Sequence, residues 1–119
     1  MATSLDLTEI FKSIDEMDAD TFVSFLSEDA VFRYGSQDAV EGKDAIREYV
    51  AHFFTMVRGL THTLTDTWEG EGSLAVRGDV TYQKHDGGEV TIPFVDVMRF
   101  GDDGIREYLI HIDPAPLMS

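Results

Sequence analysis

One aspartate sits where a strand pattern asks for hydrocarbon. In residues 88–100, GEVTIPFVDVMRF, Asp96 shares its alternate-position face with Ile92, Phe94, Met98 and Phe100. A strand presents every second side chain to one side, so this register sinks a carboxyl in apolar surroundings unless it lines a cavity or finds a partner. Such burial disfavours the charged form and can raise a carboxyl pKa by about 3 to 5 units. The neutral acid that results at pH 7 can donate a hydrogen bond to an oxygen gaining negative charge. The alternative is a structural role, with the carboxyl bonded to backbone amides or to an arginine.

Three further pairings have the residue types for acid–base or water chemistry. His111 and Asp113 share a face at i, i+2, which allows an acid–base pair; the plainer reading is an edge-exposed histidine and an aspartate that starts a turn before Pro114. Arg77 and Asp79 also share a strand face, opposite Leu74, Val76, Val80 and Tyr82. They are a possible water-activating pair or an exposed ion pair, and they lie outside any pocket if the apolar set faces the core. His62 and Asp66 stand on the Trp68 face of another strand, about 13 Å apart by strand rise and too far to touch. No metal site is expected, because there is no cysteine and His52, His62, His85 and His111 lack close ligand spacing. Gly70-Glu71-Gly72 and Gly87-Gly88 punctuate hairpins rather than cradle phosphate, no Gly-x-Ser-x-Gly elbow occurs, and no cofactor is implied.

The chain of 119 residues fits one compact domain, 1–119, long enough to bury about two-thirds of its unfolded surface. Eight Phe, four Tyr and one Trp exceed what packing so small a core requires, so a lined pocket or a self-association face is expected. The candidate lining residues are Phe32, Phe53, Phe54, Trp68, Tyr82, Phe94, Met98 and Tyr108. A formal charge of −14 repels phosphate backbones and anionic lipid, which argues against nucleic acid and membrane as partners; a small apolar molecule is the partner expected of a lined pocket. Residues 1–6 have neither a basic stretch nor an apolar run, and nowhere do eighteen apolar residues follow one another. With no cysteine, the expectation is a soluble cytoplasmic protein, complete as written.

The positioning elements follow from periodicity. Leu7, Ile10, Phe11, Ile14 and Met17 recur at helical steps, with Asp6 and Glu9 in a capping-box pattern. Asp18 caps a second helix carrying Phe22, Phe25 and Leu26 and ending near Glu28-Asp29, before a strand at 30–34. Ile46, Tyr49, Val50, Phe53, Phe54 and Val57 form the stripe of a third helix. Strands are then expected at 60–69, 74–84, 90–100 and 105–112, joined by short turns. In the first of these, Thr61, Thr63, Thr65 and Thr67 take one face, and His62, Leu64, Asp66 and Trp68 the other. Three helices against one face of such a meander give an α+β layered fold, and a strongly curved sheet leaves a hollow under them.

This order resembles the NTF2-like (cystatin-like) superfamily over nearly the full length, in particular its SnoaL-like and ketosteroid-isomerase-like members. The resemblance rests on Glu28-Asp29-Ala30-Val31-Phe32, on Glu41-Gly42-Lys43-Asp44-Ala45-Ile46, and above all on Val95-Asp96-Val97-Met98-Arg99-Phe100 followed by Asp103-Gly104-Ile105. It implies a cone of three N-terminal helices on a curved, mostly antiparallel sheet enclosing a pocket. In the isomerases the acid matching Asp96 is the protonated oxyanion-hole carboxyl. Their general base aligns with Tyr34, and the first helix here has no tyrosine where their second donor lies. Arg77-Gly78-Asp79-Val80 resembles the Arg-x-Asp strand of limonene-epoxide hydrolases, whose third acid would fall at Ile110. Residues 108–114, YLIHIDP, resemble SnoaL-like chains with an acid at the position of Asp113. The resemblance implies an isomerase- or cyclase-type enzyme moving a proton on an apolar carbonyl compound of steroid or polyketide type, with Asp96, Asp113, His111 and Tyr34 as candidate catalytic groups. A non-catalytic binding or dimerisation module and an epoxide hydrolase using Arg77 and Asp79 are the alternatives. A homodimer through the outer sheet face is expected.

Overall fold

The computed structural model of the chain describes residues 7–118. The expectation for residues 1–6 and the Asp6 half of the capping pattern lie outside the described residues. The elements run α1 (Leu7–Asp15), α2 (Ala19–Val23), β1 (Leu26–Tyr34), β2 (Val40–Glu41), α3 (Lys43–Thr55), β3 (Gly59–Gly70), β4 (Ser73–Gln83), β5 (Glu89–Gly101), β6 (Gly104–Ile112) and α4 (Ala115–Met118). The strands form one six-stranded sheet in the order β2-β1-β6-β5-β4-β3. β3 to β6 are the expected meander, and β1 lies parallel to β6 at its far side. Among the described residues, no helix is long and apolar enough to cross a membrane.

The core lies between the helices and one sheet face. Ile10 and Phe11 of α1, Phe22 of α2 and Ile46, Val50 and Phe54 of α3 are buried against Phe32, Val76, Val80, Phe94, Met98 and Tyr108. Each fully buried side chain of this size contributes roughly 1.5–3 kcal/mol relative to exposure. The α3 stripe divides in two: Ile46, Val50 and Phe54 enter the core, whereas Tyr49 and Phe53, one step round the helix, are only partly covered.

The second helix is shorter than its periodicity suggests. Asp18 caps it as expected, its Oδ1 accepting from the Thr21 amide at 3.1 Å. It stops at Val23, where the Ser24 hydroxyl turns back onto the Thr21 carbonyl and its amide reaches the carbonyls of Asp20 and Thr21. Leu26 then pairs with Ile105 across 79 residues of chain, so β1 begins four residues before the expected strand. Gly104 makes this junction possible. It has a φ of +136°, and a Cβ there would meet the Phe25 carbonyl oxygen at 2.9 Å.

β3 departs from strict alternation. Leu64 faces Gly78, but the next paired residue is Asp66, which faces Arg77, so Thr65 is an extra residue in a bulge. The Thr65 hydroxyl donates to the Arg77 carbonyl at 3.0 Å. Opposite the bulge, a Cβ on Gly78 would stand 2.2 Å from the Thr63 carbonyl oxygen, so only glycine admits this close approach. The bulge exchanges the faces of the strand beyond it. His62 keeps the inner face of Val80, while Asp66 and Trp68 join Arg77 and Ala75 outside and Thr67 joins Val76.

Candidate functional site

The site is built around Asp96. It lies mid-way along β5, between Val76 of β4 and Ile110 of β6, and is 2 % exposed. Tyr108, on the inner face of β6, donates its hydroxyl to Asp96 Oδ2 at 2.7 Å. The tyrosine ring is clamped edge-on by Phe22 at 5.2 Å and stacked by Phe32 at 5.9 Å. Asp96 Oδ1 is buried and has no hydrogen-bond partner. Burial pushes the Asp96 carboxyl up to about 7, and the Tyr108 hydrogen bond works in the opposite direction. Among the described residues, no arginine or backbone amide bonds this carboxyl, and its one partner is the Tyr108 hydroxyl.

A cavity of about 50 Å³ opens beside it, walled by Phe32, Tyr34, Tyr49, Phe53, Phe54, Tyr82, Phe94, Tyr108 and Ile110 among others. At roughly 10–15 Å³ per water position, that is space for a few waters or a compact molecule. Tyr34 and Tyr82 meet across it, hydroxyl to hydroxyl, at 3.0 Å, with Phe53 packed on both rings. Burial raises the pKa of both phenols and of Tyr108, so all three stay protonated near neutrality; Tyr108 donates to Asp96, and one hydroxyl of the Tyr34–Tyr82 pair donates to the other. This corrects the role the resemblance implied for Tyr34, since a phenol held protonated cannot act as the base.

Tyr34, Tyr49 and Phe53 also border a second recess with Gln37, His52, Met56 and Met118, so α4, absent from the sequence expectation, contributes to a recess that adjoins the cavity. Tyr49 donates to the Gln37 side chain there.

The inner face also carries a pair that sequence reasoning missed. His62 lines the cavity, and its Nδ1 lies 2.6 Å from Asp15 Oδ1 at the end of α1. The second oxygen of Asp15 accepts from the His62 backbone amide at 3.2 Å. The ring packs against Phe11 at 5.0 Å and Phe94 at 5.2 Å. No spacing rule links a helix-end acid to a strand residue 47 positions later. The available signal was a histidine on the apolar face, which strict alternation had placed beside Asp66 and Trp68.

Of the expected lining residues, Phe32, Phe53, Phe54, Tyr82, Phe94 and Tyr108 stand in the wall. Met98 is fully buried beneath it, and Trp68, put outside by the bulge, is 53 % exposed. His111 faces Val95 on the outer side of the sheet and is exposed, because Tyr108, Ile110 and Ile112 take the inner positions. Asp113 is exposed and accepts from the Ala115 amide at 3.1 Å, starting the turn into α4. Neither reaches the cavity. Arg77 and Asp79 are also exposed on the outer face, and Arg77 pairs with Asp66 at 2.9 Å rather than with Asp79. Among the described residues, no group of three His, Asp or Glu side chains is placed to hold a metal ion.

The profile of the SnoaL-like domain family matches residues 7–108. No curated protein matches the sequence. Among solved structures, an NTF2-like protein of unknown function from Burkholderia pseudomallei K96243 superposes with a TM-score of 0.85 at 18 % identity, over 94 % of this chain and 91 % of that one. A candidate SnoaL-like polyketide cyclase from Shewanella denitrificans OS-217 gives 0.79 at 15 % identity, over 94 % and 90 %. A hypothetical protein with a ketosteroid isomerase-like fold from Catenulispora acidiphila DSM 44928, in complex with trimethylamine, gives 0.81 at 11 % identity, over 92 % and 86 %. At these identities the likeness shows the fold, which is NTF2-like. With its profile spanning α1 to β6, the chain belongs to the SnoaL-like domain family.

Proposed function

We propose that this protein is an isomerase- or cyclase-type enzyme that moves a proton on a compact apolar carbonyl compound. One observation carries the reading: a fully buried carboxyl at the cavity wall, with one oxygen held by Tyr108 and the other unpartnered. In its neutral form Asp96 donates through that free oxygen to a substrate carbonyl. The bond strengthens as the carbonyl becomes an enolate, which is the condition for lowering a barrier rather than merely binding. In the Tyr34–Tyr82 pair, the hydroxyl that accepts keeps its own proton and adds one phenol donor on the same wall. The small cavity favours a one- or two-ring compound over a four-ring one. Arg77 and Asp79 supply no water-activating group to this space, which removes support from the hydrolase alternative.

Proton exchange at the carbon next to a carbonyl tests this without knowledge of the natural substrate. In deuterated water, the wild-type protein is expected to accelerate α-deuteration of one or more of 2-indanone, 2-tetralone and cyclohex-3-en-1-one, read by proton NMR, and Asp96→Leu to lower that rate by about 10²–10³-fold. Saturable binding of these ketones without any exchange would instead support a ligand-binding module. We also propose a homodimer through the outer sheet face, supported by the exposed Trp68; a monomer in sedimentation at micromolar concentration would overturn it.

A further inference from the structure

We propose that His62 takes up and returns the proton in this cavity, with Asp15 as its positioning residue. The inference rests on the carbonyl reading above and supplies the base that reading lacks. Asp15 holds both the Nδ1 and the backbone amide of His62, so the carboxylate fixes the ring's place as well as its tautomer. With the Nδ1 proton donated to Asp15, Nε2 carries the lone pair and is the nitrogen left for a cavity occupant. Phe11 and Phe94 hold the ring from two sides, and the side chain is 10 % exposed.

Elimination points the same way. The other titratable groups in the cavity wall are Asp96 and the phenols Tyr34, Tyr49, Tyr82 and Tyr108, none of which offers a free basic nitrogen. His111 and Asp113 are outside.

Sheet curvature sets the separation. His62 faces Val80, which faces Ile92, and Asp96 is four positions further along β5. On a flat sheet their α-carbons would be ~16 Å apart, at roughly 3.3 Å per residue and 4.8 Å per strand. Tyr34 and Tyr82 span a longer diagonal, ~24 Å on the same basis. Their hydroxyls nevertheless meet at 3.0 Å, which shows how far the sheet and its side chains close over the cavity. The His62–Asp96 diagonal is shorter, and both side chains line the same cavity, so we place a carbonyl oxygen at Asp96 and an acidic C–H toward His62.

In the step this geometry supports, the C–H bond breaks and its proton goes to Nε2. The electron pair forms the enolate, whose oxygen keeps the hydrogen bond from Asp96, and Asp15 faces the imidazolium. Returning the proton to the same or a conjugated carbon regenerates the histidine. No oxidant, water or second reactant is consumed.

The test uses the full chain and 2-indanone in deuterated water. His62→Gln is expected to slow exchange by about 10²-fold or more. In His62→Ala, added imidazole is expected to restore exchange with saturating dependence on its concentration, a response that a purely structural histidine would not give. Asp15→Asn is expected to lower kcat with KM little changed. Thermal melts establish that each variant is folded. Exchange within threefold of wild type in His62→Gln, with Asp96→Leu inactive, overturns the inference and leaves the carbonyl reading standing. Unchanged exchange in Asp96→Leu, or none by wild type on any of the three ketones, overturns that reading and this inference together.

Discussion

The two faces of one sheet treat charge in opposite ways. On the outer face, Arg77 pairs with Asp66 at 2.9 Å and Arg99 with Glu107 at 3.1 Å, all of them in or near solvent. On the inner face, Asp96 has no cationic partner among the described residues. Yet Asp96 stands opposite Val76, the residue next to Arg77. Strand parity alone keeps that guanidinium from the buried carboxyl, because neighbours in a strand point to opposite sides. The histidines divide likewise: His111 is exposed outside, while His62 is set in aromatic rings inside with a carboxylate behind it. Outer charges are satisfied by partners and water. The inner ones are left available to whatever fills the cavity.

Substitutions can break this contrast. The largest stability effect is expected at Asp96. Its folded pKa of about 7 lies above the ordinary 3.8, so the folded state binds the proton more tightly. The stability this confers is fully present below pH 4 and is lost as pH rises through 7. Asp96→Asn cannot ionise, so its stability relative to wild type is expected to grow by up to about 4 kcal/mol between pH 4 and pH 8, at roughly 1.4 kcal/mol per pKa unit. Denaturant titrations at the two pH values check it, and a pH-independent difference would mean the carboxyl is not held neutral.

A smaller effect is expected at Tyr108. Its hydrogen bond lowers the Asp96 pKa against the burial that raises it, so Tyr108→Phe should move the Asp96 midpoint further up. A carboxyl-carbon NMR titration of the variant reads the shift, and a downward movement would contradict the assigned balance. Smallest of all is the outer face. Arg77→Ala should cost less than about 1 kcal/mol in a urea melt, because an exposed ion pair gains little. His111→Gln should leave ketone exchange unchanged, and a tenfold loss would place the chemistry on the wrong side of the sheet.

What could be read from the sequence was what local periodicity encodes. The burial of Asp96 followed from its alternation with Ile92, Phe94 and Met98, and the core side of α3 from its three- and four-residue steps. What could not be read depended on pairing between distant segments. β1 begins early because Leu26 meets Ile105, and Trp68 lies outside because one extra residue, Thr65, shifts the register opposite Gly78. The two-residue β2 and the one-turn α4 are too short to carry a period. The His62–Asp15 pair joins a helix end to a strand 47 residues later, a contact that no local period encodes.

The account turns on whether Asp96 keeps its proton well above the ordinary carboxyl range. A pH titration of its side-chain carboxyl carbon by NMR, assigned by comparison with Asp96→Asn, measures this directly. The expected midpoint is about 7. A midpoint at or below the ordinary 3.8 would show an ionised, compensated carboxylate and would contradict the proton-transfer site built on it.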